Sequence, residues 1–217
     1  MNEEISKNTL KSGTSIVGIV CKDGVILAGD RRSTAGPMVM SKRSPKVVKI
    51  NDYLAVAGTG VASDIDLAQR IYAAELKLKQ LKTRSRPTVK ESAHLIGMMS
   101  YRGIRTPSMV PSIVGTLVAG VDESGETSLY TIEPAGGVYP VEDYDANFSS
   151  GMPFILGLLE KNYSKELSVK EGVDLAKDCI KSAMQRDVAS GNGIDVFTIT
   201  KDGIKHVISE EIIAQYK

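Results

Sequence analysis

The spacing of apolar positions divides this chain into strand-like and helix-like stretches that alternate. Ser15 to Cys21 (SIVGIVC) and Val25 to Ala28 (VILA) are short, β-branched and apolar, and Lys22-Asp23-Gly24 between them has hairpin-turn composition. Lys46 to Ile50 and Tyr53 to Ala57 follow as a second strand pair around Asn51-Asp52. The period then lengthens. Leu67, Ile71, Ala74, Leu78 and Leu81 step by four and three, which places them on one face of a helix, with Ser63 as its expected N-cap. Thr88-Val89-Lys90-Glu91 has the capping-box form and opens a second helix to about Tyr101, closed by Gly103 and Pro107.

Strands return at Ser112 to Val121, Ser128 to Ile132 and around Gly137 to Val141, the first two joined by Asp122-Glu123-Ser124-Gly125. Pro153, suited to a first helical position, marks a third helix. Ser168-Val169-Lys170-Glu171 repeats the capping box and starts a fourth, whose face is Val169, Val173, Ala176, Ile180 and Ala183. Ile194 to Thr200 and Ile204 to Ile208 close the pattern as a hairpin around Lys201-Asp202-Gly203. Helix pairs between sets of antiparallel strands predict a layered α+β architecture, two stacked sheets with helices outside. The apolar run SIVGIV fits a strand covered on both faces.

Composition narrows the class. The chain has 217 residues, enough for one substantial domain. Its 27 Lys and Arg nearly balance 26 Asp and Glu, so no basic excess points to nucleic acid or an anionic membrane. No apolar run is long enough to span a bilayer. The opening MNEEISKNTLKSG carries two acids and no apolar block, unlike a secretory signal, so a soluble cytoplasmic protein is expected. Cys21 and Cys179 have no metal-like or redox spacing and are expected as buried, reduced thiols. His94 and His206 are isolated, which argues against a zinc site and against a histidine base.

The candidate chemistry starts at Gly13-Thr14-Ser15, just before the first strand. Gly29-Asp30-Arg31-Arg32 follows the second strand, and Ser44-Pro45-Lys46 precedes the third. This constellation resembles the β-type subunits of the 20S proteasome, of the archaeal kind, from Gly13 to the end of the chain. The resemblance implies a four-layer αββα sandwich, the N-terminal-nucleophile hydrolase fold, and a threonine-type peptidase. Residues 1–13 would be a prosegment removed by self-cleavage, and 14–217 the hydrolase domain. Thr14 then corresponds to the nucleophile, Asp30 and Lys46 to the charged pair beside it, and Arg32 to a supporting arginine. Gly60, in Thr59-Gly60-Val61-Ala62-Ser63-Asp64, matches the oxyanion glycine. Ser150 matches the serine of a Gly-Ser-Gly, and Asp187 and Ser190 match an Asp-x-x-Ser pair. Ser149 stands where glycine is usual, and Ser15 where a second threonine is common.

The chemistry agrees with the resemblance. A threonine hydroxyl needs a base, and a freed Thr14 amine, with a reference pKa of about 7.7–8.0, would serve. A nearby Lys46 ammonium would lower that value, and Asp30 would keep Lys46 charged and in place. A Gly60 N–H aimed at the tetrahedral intermediate would supply roughly 3 kcal/mol. An amide nitrogen is not basic, so the prosegment would act as a safety catch. Glycine at position 13 would permit the tight turn that brings the Thr14 hydroxyl to the Gly13 carbonyl.

By the same resemblance Ser33, Ser44, Val48, Gly58, Ala62 and Asp66 would line the specificity pocket. Gly58 suggests a roomy floor. Asp66 either favours a basic side chain or is a solvated acid in the first turn of a helix. No metal or organic cofactor is implied. The implied partners are α subunits and other β subunits in stacked seven-membered rings, a regulatory ATPase, and unfolded protein substrates. The competing readings are a catalytically silent structural β subunit that keeps its prosegment, a small-molecule amidase of the same nucleophile type, and a simple binding module.

Overall fold

The computed structural model describes residues 13–109 and 111–212; the rest of the chain, including most of the expected prosegment 1–13, lies outside the described residues. The first half holds β1 (Ile16–Cys21), β2 (Gly24–Asp30), β3 (Ser33–Ala35), β4 (Met38–Ser41), β5 (Val47–Lys49) and β6 (Leu54–Gly60). Helices α1 (Ala62–Thr83) and α2 (Val89–Arg105) come next. The second half contains β7 (Val114–Val121), β8 (Thr127–Ile132), β9 (Val138–Val141) and β10 (Tyr144–Asp145). It ends with α3 (Met152–Asn162), α4 (Val169–Arg186), β11 (Gly193–Thr200) and β12 (Gly203–Glu211).

Two antiparallel sheets form, ordered β10-β1-β2-β11-β12 and β5-β6-β7-β8-β9, with β3-β4 as a separate ribbon. Helices α3 and α4 cover the first sheet and α1 and α2 the second, which is the expected αββα stack. Alternation along β1 and β2 explains why both read as solid apolar runs. Ile16, Val25 and Leu27 face the second sheet, whereas Val17, Ile19, Ile26 and Ala28 pack under α3 and α4 with Ile155, Leu159, Ala176 and Ile180. With both faces covered, these strands have no solvent side to carry polar residues.

Both capping boxes form. The Thr88 hydroxyl accepts from the Glu91 N–H at 3.1 Å, and Glu91 accepts from the Thr88 N–H at 3.0 Å. Ser168 and Glu171 do the same for α4. Other boundaries move. Ser63 does not cap α1; the N-cap is Val61, with no side-chain hydrogen bond, because the helix starts directly off the end of β6. Helix α2 runs through Gly103 to Arg105 and stops at Thr106, since the residue before Pro107 is pushed out of helical geometry. The stripe Leu67, Ile71, Ala74, Leu78 and Leu81 does not enter the core: Ile65, Tyr72 and Leu76 do. Leu81 is 64% exposed. Periodicity shows that a face is apolar; it does not show what covers it. The ribbon β3-β4 and the two-residue β10 lack a burial rhythm, and Met38, Val39 and Met40 are all exposed, so no sequence pattern marked them.

Candidate active site

Thr14 lies two residues before β1, is 2% exposed, and its Oγ1 finds no hydrogen-bond partner among the described residues. Its N–H donates to Ser150 Oγ at 2.9 Å. Ser150 Oγ lies 2.6 Å from Asp187 Oδ2 and donates to it. Ser190 Oγ donates to the same oxygen at 2.6 Å, and the Ala189 N–H to Oδ1 at 3.0 Å. The Ser15 hydroxyl completes the chain at 2.6 Å from Ser190 Oγ. Asp187 is the C-cap of α4, and these converging donors fix its carboxylate in place.

The junction is tightly seated. A Cβ on Gly13 would lie 2.0 Å from Ala189 Cβ and 2.8 Å from Ser150 Oγ, so what requires glycine here is space. Gly151 is fixed in the same way, since a Cβ there would lie within 3.1 Å of Ser15 and Ala183 side-chain atoms.

Asp30 ends β2 and is fully buried. Oδ1 accepts from the Ser15 N–H at 3.0 Å; Oδ2 accepts from the Arg32 N–H at 2.9 Å and the Gly191 N–H at 2.8 Å. Burial pushes its pKa up to about 6, against the opposing pull of Lys46 and these three N–H groups. Lys46 is 3% exposed, and burial lowers its pKa while the Asp30 charge works to restore it. Its carbonyl accepts from the Gly58 N–H at 3.1 Å, which ties Lys46 to the strand that ends in Gly60. Gly60 has φ +121°, a value L side chains rarely adopt, and a Cβ would lie 2.1 Å from the Ile113 carbonyl oxygen. Arg32 straps the loop after α4, with Nε donating to Asn192 Oδ1 and Nη1 to the Val188 carbonyl, both at 2.8 Å.

Residues 10–199 match the family model described as proteasome subunit. A proteasome subunit beta of Archaeoglobus profundus is 40% identical over 92% of this chain and 90% of the relative. Proteasome subunit beta 1 of Thermococcus onnurineus is 42% identical over 94% and 97%, and the beta subunit of Methanothermobacter thermautotrophicus is 39% identical over 95% of each. The chain belongs to the proteasome subunit family, as a β-type subunit of the 20S core.

The remaining sequence candidates in this β subunit are placed less uniformly. Ser44 donates its N–H to the Arg31 carbonyl at 2.9 Å, Ser33 pairs with Ser41 in the β3-β4 ribbon, and Val48 and Ala62 are half-buried. Gly58 is not an open floor: a Cβ would meet Ile65 Cγ2 at 2.7 Å, so α1 already occupies that space. Asp66 is exposed and paired with Arg70 one turn on. Ser149 is 5% exposed, and its hydroxyl finds no partner among the described residues. His206 is engaged by Asp195 at 2.8 Å and stacked on Phe197. Cys21 and Cys179 are buried free thiols, with pKa values pushed up to about 12, chiefly by burial. Sequence reading treated Ser15 only as a departure from the family pattern and passed over Asn147, which no periodicity distinguishes.

Proposed function

We propose that this β subunit is a threonine-type endopeptidase that cleaves unfolded proteins with Thr14 as an N-terminal nucleophile. The observation that carries the reading is the hydrogen-bonded relay from the Thr14 nitrogen through Ser150 to Asp187, beside a Thr14 hydroxyl that finds no partner among the described residues. In the precursor, Oγ1 attacks the Gly13 carbonyl carbon, its proton passing to the Thr14 nitrogen as the Gly13–Thr14 C–N bond breaks, and water hydrolyses the resulting ester to release residues 1–13. The freed amine then takes the Oγ1 proton as Oγ1 attacks a substrate carbonyl, and returns it to the leaving amine. Water cleaves the acyl-enzyme. A Lys46 cation near this amine would lower its pKa and favour the neutral form, Asp30 would keep Lys46 in place, and the Gly60 N–H would face the oxyanion. Arg32, Asp187 and Ser190 support this arrangement, and Ser33, Ser44, Val48 and Ala62 border the substrate.

In the assembly we propose, such subunits form seven-membered rings stacked against α-subunit rings in the cytoplasm, fed by a regulatory ATPase. The exposed Leu67, Ile71, Leu78 and Leu81 along one face of α1 support burial of that face against a neighbouring subunit. No helix among the described residues is long and apolar enough to cross a membrane. The test is peptide and unfolded-protein hydrolysis by particles assembled with α subunits, against a Thr14→Ala control. Turnover in the unsubstituted particle alone supports the reading. Equal, background rates in both would favour the silent structural subunit.

A further inference from the structure

Across the loop from Ser150 lies a polar cluster that the mechanism above does not use. Asn147 is 1% exposed, with φ +39°, a left-handed conformation that asparagine tolerates better than most side chains. Its Nδ2 group faces Thr131 Oγ1 at 2.7 Å, the Ile132 carbonyl at 3.1 Å and the Thr116 carbonyl at 3.3 Å. The Thr59 hydroxyl lies 3.2 Å from both the Asn147 carbonyl and Oδ1. Gly115 leaves the space this requires, because a Cβ there would lie 2.2 Å from Asn147 Oδ1 and 2.6 Å from Thr59 Oγ1. The backbone on either side is anchored to other elements. Asp145 pairs with Gly18 of β1, and its Oδ1 accepts from the Ala146 and Asn147 N–H groups at 2.7 and 3.1 Å. Phe148 follows at φ +50°, an unfavourable value for a bulky side chain, and is 61% exposed. Two residues on, Ser150 meets the Thr14 nitrogen.

One side chain therefore joins β6, β7 and β8 of the second sheet to the loop that rises from the first. Thr59 immediately precedes Gly60, and Asn147 precedes Ser150 by three residues. We infer that Asn147 is a positioning residue, which through Thr59 fixes the distance between the Gly60 end of β6 and the Ser150 contact on Thr14. The inference rests on the proposed function. A buried asparagine whose side-chain amide reaches β7 and β8, with the Thr59 hydroxyl of β6 on its carbonyl side, restrains the loop more than Phe148 beside it, which is 61% exposed.

The test uses assembled particles carrying Asn147→Asp, Thr59→Val or Thr59→Ser, with kcat, KM and the pH profile of kcat measured beside the unsubstituted particle. Asn147→Asp keeps the shape, but it removes both N–H donors and turns a carboxylate toward three acceptor oxygens. Thr59→Val replaces the hydroxyl with a methyl of similar size. Misplacing a reacting group by about 1 Å costs on the order of 100-fold, so kcat should fall by about that factor in Asn147→Asp and Thr59→Val, with KM within about twofold. The acid limb should move to lower pH, because the Thr14 amine loses the carboxylate-backed serine that favours its protonated form. Thr59→Ser should restore kcat. Unchanged kcat and acid limb in both variants overturn the inference, as does a loss confined to KM. Failure of Thr59→Val to assemble also overturns it, by making the cluster an element of the fold alone. An unsubstituted particle that is itself unprocessed and inactive defeats the Thr14 reading; an active one beside unaffected Asn147 variants defeats only this inference.

Discussion

Replacing Gly13 by alanine probes the seat on which self-cleavage depends. The added Cβ would stand 2.0 Å from Ala189 Cβ, 2.8 Å from Ser150 Oγ and 3.4 Å from Ala189 Cα. Carbon atoms in contact rest at about 3.5 Å or more, so the shortest of these is roughly 1.5 Å too close. Both neighbours are restrained: the Ala189 N–H is bonded to Asp187, and Ser150 to Asp187 and Thr14. Forcing a methyl into such packing costs about 1–3 kcal/mol. A backbone shift that relieves it would displace the Gly13 carbonyl relative to Thr14 Oγ1. A displacement of about 1 Å at a reacting carbonyl slows reaction on the order of 100-fold, and a delay of that size is expected in maturation. The assay is a time course of intact mass after assembly with α subunits. Ala189→Gly removes the atom struck first, so the double variant should recover part of the rate, the Ser150 contact remaining. Maturation of Gly13→Ala at the native rate would refute the steric argument, and so would an absence of any rescue by Ala189→Gly.

Asp30 gives opposite pH dependences for activity and stability. Its folded pKa of about 6 exceeds the ordinary 3.8, so its stabilising contribution is full below about pH 4 and is lost as pH rises through 6, a swing of about 3 kcal/mol. Peptidase activity, which needs both the neutral Thr14 amine and the ionised Asp30 beside Lys46, should instead fall as pH drops through 6. Melting temperatures from pH 4 to 7 for the native chain and Asp30→Asn check this, and an identical pH dependence in both would exclude Asp30 as its source. Ile71 is 41% exposed on the outward face of α1, so Ile71→Glu should leave the isolated subunit's melting temperature nearly unchanged while reducing particle assembly at least tenfold, read by native mass or gel filtration. Assembly equal to the native chain's would remove that stripe from the interface.

The layering was legible because its signals are local and strong. Thr88 with Glu91 and Ser168 with Glu171 announce helix starts by spacing alone, and SIVGIVC against VILA needs only a turn between them. The pairing of Asp30 with the backbone of Ser15 and Gly191 was not legible, because it joins residues far apart in sequence through N–H groups that every residue carries. Gly58 illustrates a second limit. Sequence says that a side chain is missing, while only the fold says that Ile65 fills the gap. The α1 stripe is a third: in a protein built to assemble, an apolar helix face has more than one possible cover. Asn147 was invisible for yet another reason, since its partners are carbonyls and hydroxyls on three strands of the opposite sheet.

The most direct measurement of the central claim is the intact mass of the native subunit after assembly with α subunits, beside Thr14→Ala. Loss of residues 1–13 from the native chain, with the Thr14→Ala chain staying whole, is the expected result. Full-length mass in both, or equal trimming in both, would contradict Thr14 as the self-processing nucleophile.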